Sequence, residues 1–170
     1  MQLFFSTKTK SGFSLRFCPA RSYITKMHLI IFDPGENEHD RPMRPLPNFQ
    51  NALLNGHSIP IEGDGSQSRT FTWIEDVIDA LIEIMRYENR LPVVMNLGSE
   101  ETVTILELAK MMAIIMGVKP EFEYTNRLSG DPDWRRPDCS LLRKTIGWAP
   151  NTTIEIGLQK LLQVNEEINT

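Results

Sequence analysis

Between Arg69 and Met85 the hydrophobic period changes from 2 to 3.6 with no loop between, and this constrains the fold more than any other stretch. Arg69 to Trp73 alternates as a strand does. From there Ile74, Val77, Ile78, Leu81, Ile82 and Met85 recur at the i, i+3, i+4, i+7 spacing of a core-facing helical stripe. A strand running straight into an amphipathic helix implies an α/β fold class, with helices packed on short strands. The same alternation continues on either side. Residues 28–32, 59–61, 93–97 and 121–124 read as short strands. Residues 48–54 read as a helix stopped by Gly56, and Thr104-Ile105-Leu106-Glu107 as a capping box opening a helix that ends near Gly117. Asp138 is placed to cap a helix closed by Gly147. Thr152 and Glu155 make a second capping box, before a terminal helix carrying Ile154, Leu158, Leu161, Leu162 and Val164. Met111, Met112 and Met116 fit core filling better than a cofactor site.

Length and composition narrow the function classes. A chain of 170 residues buries enough surface for one domain with a modest core, and 41% hydrophobic with 24% charged residues places it among soluble globular domains. Its longest apolar runs, such as residues 111–116, are far too short to span a bilayer, so no membrane partner is expected. Cys18 and Cys139 stand alone, without the spacing of a disulfide framework or a metal site, which fits a reducing, cytoplasmic location. Residues 1–27 hold Lys8, Lys10, Arg16, Arg21 and Lys26 and no acid, so the rest of the chain is more acidic than the net charge of −4. Such a body repels phosphate backbones, and nucleic acid is not expected as a partner. Residues 1–27 show no sustained period. Their composition fits a transit peptide or the unmatched start of a truncated reading frame; they form an unassigned segment beside a body of residues 28–170.

Two stretches spend glycine, arginine and proline where packing alone would not require them. In Gly63-Asp64-Gly65-Ser66-Gln67-Ser68-Arg69 a tight turn delivers Arg69 to a strand edge, with Gln67 on the same face two residues earlier. In Asp131-Pro132-Asp133-Trp134-Arg135-Arg136-Pro137-Asp138 two arginines sit in a proline-stiffened loop before a helix. Both suit recognition of an anion such as phosphate. The alternative is surface pairing of these arginines with Asp64, Asp131, Asp133 or Asp138, contributing at most about 1 kcal/mol each. His28, His39 and His57 are isolated and read as solvated or structural side chains.

GDGSQSRTFTWIEDV resembles the segment after the nucleotide-binding half in NAD-dependent epimerases/dehydratases, the extended short-chain dehydrogenase/reductases that modify nucleotide sugars. Further motifs follow in order across residues 28–165. Residues 32–37 resemble the family's aromatic-Gly-Pro turn and Asn96-Leu97-Gly98-Ser99 its Asn-hydrophobic-Gly strand end. DPDWRRPD resembles its Asp-Pro/Arg/Pro-Asp loop and Gly147-Trp148-Ala149-Pro150 its Gly-Trp-x-Pro turn. The nearest likeness is to UDP-glucuronate decarboxylases. The resemblance implies the carboxyl-terminal, substrate-binding lobe of such an enzyme with its Rossmann half missing. By it, Arg69 and Arg135 clamp the diphosphate of a nucleotide sugar, and Gln67, Asn96, Asn48 and Phe49 line the same cleft.

Departures from the family bear on catalysis. The sequence has no GxxGxxG turn for a dinucleotide and no Tyr-x-x-x-Lys pair; four residues after Tyr23 stands Met27. Ile30, Asp33 and Glu62 replace the family's asparagine, first turn glycine and aromatic. The complete family uses NAD to take and return a hydride; no cofactor and no catalytic residue are expected for this chain alone. Its expected partners are a nucleotide-diphosphate sugar and a Rossmann half or a second copy. The rival expectation is a degenerate, non-catalytic lobe that acts as a binding or interaction protein.

Overall fold

The computed structural model describes side chains for residues 45–92, 94–127 and 130–163, and backbone alone for residues 2–9, 12–18, 25–29, 31–32 and 164–168. Ile30 and residues 33–44, including His39 and most of the expected aromatic-Gly-Pro turn, lie outside the described residues, as do the side chains of His28 and Val164. The chain divides into two units.

The first unit comprises Met1–Phe32, Thr70–Glu101 and Arg136–Thr153. Its sheet runs β1 (Gln2–Thr9), β2 (Gly12–Cys18), β3 (Thr25–Leu29), β8 (Val94–Asn96), antiparallel except for the parallel β3/β8 pair. Strands therefore occupy the segment read as aperiodic. Alternation is present there in short runs, the longest being Phe13, Leu15 and Phe17 in β2, too short to stand out. The strand expected at residues 28–32 is split between β3 and β4 (Ile31–Phe32), and β4 pairs in parallel with β7 (Thr72–Trp73).

Helix α2 (Ile74–Arg86) follows β7 directly, as the change of period requires. It buries Val77, Ala80 and Ile84 against Met95 and Leu97, and against Leu142 of α4 (Ser140–Ile146). Half of the expected stripe is not core: Ile78, Ile82 and Met85 are exposed. The apolar residues of α2 cover more than one face, and the buried face is centred on the small side chain of Ala80.

Asp76, buried in the first turn of α2, accepts hydrogen bonds from the backbone N–H (3.0 Å) and hydroxyl (3.2 Å) of Thr152. That hydroxyl is directed to Asp76, and the last helix, α5 (Ile154–Ile168), starts one residue later than a Thr152 cap requires. Cys139 occupies the N-cap position of α4, while Asp138 Oδ1 accepts from Ser140 N at 2.9 Å. Gly147 closes the helix in the left-handed region (φ 71°), its N–H donating to Arg143 O. Cys139 Sγ donates to Gly98 O at 3.3 Å, and burial pushes its thiol up to about 11.

The second unit comprises Asp33–Arg69, Thr102–Arg135 and Ile154–Thr170. Helix α1 (Pro45–Leu54) starts at a proline, which suits a first helical position, and packs on β5 (Ile59–Glu62) and α3 (Ile105–Ile115). β5 pairs in parallel with β10 (Phe122–Thr125). β6 (Ser68–Thr70) pairs with β9 (Thr102–Thr104), and the strand expected at residues 69–73 is broken at Phe71 into β6 and β7. Phe49, Ile59, Ile61, Leu108, Met112 and Leu158 are fully buried in this unit.

The capping box of α3 forms as expected. Thr104 Oγ1 accepts from Glu107 N at 3.1 Å, and Glu107 Oε2 accepts from Thr104 N at 2.9 Å, which holds the Glu107 carboxyl below its usual range. Replacing Thr104 by alanine is expected to cost about 1 kcal/mol in urea unfolding, since it leaves Glu107 N without its acceptor at the helix end. An unchanged midpoint would show that Leu108 and Met112 alone hold α3.

Candidate functional site

The site is built outward from the turn that ends β5. Gly65 N donates to Glu62 O at 3.3 Å, and Asp64 Oδ1 accepts from Ser66 N at 2.9 Å; the Ser66 hydrogen bonds hold the Asp64 carboxyl below its usual range. The turn is tied to the start of α3, where Leu106 N donates to Gly65 O (3.1 Å) and Ile105 N to Gln67 O (3.0 Å). β6 emerges from this anchor in a fixed orientation.

A parallel bridge then seats the DPDWRRPD loop against β6. Ser68 N donates to Asp133 O at 2.8 Å and Arg135 N to Ser68 O at 3.2 Å. Arg69 and Arg135, some 66 residues apart in sequence, are thereby brought to one carboxylate. Arg69 Nη2 donates to both oxygens of Asp131 (2.7 and 2.5 Å), and Arg135 Nη2 stands 3.8 Å from Oδ1. A third guanidinium joins them. Arg127 Nη2 donates to Asp131 O at 2.9 Å and lies 3.7 Å from Oδ2, while its Nη1 donates to Asp133 Oδ1 at 2.6 Å. The Asp133 hydrogen bond raises the Arg127 guanidinium further above its usual range.

Arg69 and Asp131 are largely shielded, with side chains 14% and 19% exposed, whereas Arg135 is 42% and Asp133 86% exposed. Three guanidiniums thus face the carboxylates of Asp131 and Asp133, and Asp64 adds a further negative charge within range of Arg127. Arg127 Nε is buried with no hydrogen-bond partner among the described residues. Arg127 was not singled out in the sequence, because it stands in no motif; its only signal is its place four residues before Asp131.

The other expected residues are placed differently. Gln67 is 3% exposed, its Nε2 donating to Glu62 O at 2.9 Å and its Oε1 lacking a partner among the described residues. Phe49 is a core side chain. Asn48, beside it, lines an open cleft of about 610 Å³ with Asn51, His57, Ser58 and Glu123, and none of the three arginines lines that cleft. Asn96 belongs to the other unit, where its Nδ2 donates to Asp138 O at 3.0 Å.

Comparison with known proteins bears on what such a cluster serves. Residues 22–98 match the NAD dependent epimerase/dehydratase family. The chain is 32% identical over 129 residues to UDP-glucuronic acid decarboxylase 1 of Danio rerio, covering 76% of this chain and 30% of that protein. Its fold is similar to UDP-glucose 4-epimerase of Thermotoga maritima with UDP-glucose (TM-score 0.77, 23% identity, 86% of this chain and 47% of that one). It is also similar to UDP-glucuronic acid 4-epimerase of Bacillus cereus with UDP-glucuronic acid and NAD (TM-score 0.72, 22% identity, 86% and 45%). The chain spans about a third of that decarboxylase and under half of those two epimerases. With the family match, the decarboxylase relative and the shared fold agreeing, this chain belongs to the NAD-dependent epimerase/dehydratase family.

Proposed function

We propose that the second unit is the nucleotide-sugar-binding part of an NAD-dependent sugar epimerase, dehydratase or decarboxylase, and that Arg69 and Arg135, with Arg127, take the diphosphate. The observation that carries this reading is the convergence of three guanidiniums on one carboxylate beside β6. Guanidiniums match phosphate oxygens as they match a carboxylate, with bidentate, charge-assisted hydrogen bonds. The decarboxylase and epimerase relatives act on UDP-sugars by their names, so the ligand proposed is a nucleoside diphosphate bearing a sugar.

The residues present do not fit the NAD that the family implies. A dinucleotide pyrophosphate needs a helix N-terminus open to anions, and the two helices that follow a strand with no loop between, α2 and α3, are closed to them. The first turn of α2 carries Glu75 and Asp76, and the Glu107 carboxylate closes that of α3. NAD binding and turnover are therefore not expected of this chain by itself, and no chemical step is assigned to it. The interaction-module reading is favoured by one observation, the exposed row Ile78, Ile82 and Met85 on α2.

Calorimetric titration distinguishes the two. UDP should bind and uridine should not, with UDP affinity falling as salt rises, because the contacts proposed are ionic. If UDP does not bind at any salt concentration, the diphosphate site is wrong and the interaction reading moves ahead.

A further inference from the structure

Asp131 already holds the donors that a diphosphate would need. Arg69 spends both short contacts on its two oxygens, while Arg127 and Arg135 stand at 3.7 and 3.8 Å, within reach of its charge but beyond hydrogen-bond distance. Its carboxylate thus occupies the centre of the cluster while hydrogen-bonding Arg69 alone of the three arginines; Arg127 Nε is in addition buried with no partner among the described residues. A phosphate group brings three acceptor oxygens where the carboxylate brings two, and a diphosphate also carries more charge.

We infer that Asp131 is an internal stand-in for phosphate, and that a ligand enters the arginine cluster by displacing its carboxylate from Arg69. The inference rests on the proposed reading of the same site and adds the residue that sets its selectivity. Binding becomes an exchange of one anion for another. A singly or weakly charged anion gains little by replacing a carboxylate that is already placed, whereas a diphosphate engages Arg69, Arg127 and Arg135 together. Asp131 thereby sets the charge that a ligand must carry. Asp133 has no such role: among the three arginines its carboxylate pairs with Arg127, at the exposed rim of the cluster.

The test titrates the full chain with inorganic pyrophosphate and with inorganic phosphate, as wild type, Asp131→Asn and Asp133→Asn. Removing the competing charge should tighten pyrophosphate binding about tenfold, a step comparable to one hydrogen bond to a charged group. Phosphate should gain at least as much, so that the wild type's preference for pyrophosphate narrows. Asp133→Asn should shift either affinity by less than about twofold, as expected for an exposed pair. Asp131→Asn also leaves Arg69 without its counter-ion, so its melting temperature should fall and recover with pyrophosphate by more than the wild type's rises. If the variant does not melt cooperatively, the wild type decides: it must prefer pyrophosphate over phosphate by at least about tenfold, and equal affinities overturn the inference. Pyrophosphate binding that is unchanged or weaker in a folded Asp131→Asn overturns it too, since Asp131 would then orient the arginines instead of competing for them. That result leaves the diphosphate reading intact. Failure of wild type and variant alike to bind pyrophosphate overturns both.

Discussion

Replacing Gly65 by alanine is expected to destabilise the protein by about 2–5 kcal/mol, a large share of the roughly 5–15 kcal/mol that holds a domain of this kind together. Two costs add. Gly65 has φ 75°, a left-handed conformation that costs a residue with a Cβ about 1–2 kcal/mol. The added methyl would also stand 2.9 Å from Ile61 Cγ2 and 2.9 Å from Leu106 Cβ, so packed neighbours must move, at about 1–3 kcal/mol. Gly56 supplies the control, with φ 65° and nothing within 4 Å of an added Cβ. Gly56→Ala should bear the backbone cost alone, and the difference between the two urea midpoints measures the crowding. Equal losses would mean that Leu106 and Ile61 yield without cost.

The same turn marks how far the site was legible. Glycine at positions 63 and 65 announces a tight turn, and alternation after it places Gln67 and Arg69 on one face. Period 3.6 announced α2, but not which of its apolar residues would be buried: Ala80 is at the centre of the packed face and Ile78 is outside it. Propensity is local, and the choice of face is made by residues outside the helix, Met95 and Leu97 just beyond it and Leu142 of α4 much further along the chain. Likewise, nothing local could say which acid would meet the arginines. Phosphate recognition and pairing with Asp131 or Asp133 stood as competing readings of Arg69 and Arg135. The parallel bridge of Ser68 to Trp134 brings the pairing about, and it assembles the arginines as it does so. For Asn96 and Phe49 the resemblance named a role, while the packing around them was not legible: the Asn96 amide donates to Asp138 O before α4, and the Phe49 ring is buried.

Arg69 and Arg135 should prove unequal when each is replaced by alanine, although each is expected to lose about 1.5–3 kcal/mol of UDP binding, the range for hydrogen bonds to a charged group. Arg135 is 42% exposed and its approach to Asp131 is long, so its removal should leave stability almost unchanged. Arg69 should matter more to folding than an exposed surface pair does. Its side chain is 14% exposed, it donates to both oxygens of Asp131, and its Nη1 donates to Ser68 O at 2.7 Å. Alanine there strips a shielded carboxylate of its closest partner, so the melting temperature should fall as well. Arg69→Lys separates the two effects: it keeps the charge near Asp131 but cannot make the bidentate contact, and should recover stability more fully than affinity. The double alanine variant should lose less binding than the sum of the single losses, because both arginines act on one ligand and share Asp131 as a partner. Calorimetry on all four variants, alongside their melting curves, decides the matter. If both alanine variants bind UDP as the wild type does, the arginines serve only to pin the DPDWRRPD loop to β6, and the diphosphate must be sought elsewhere.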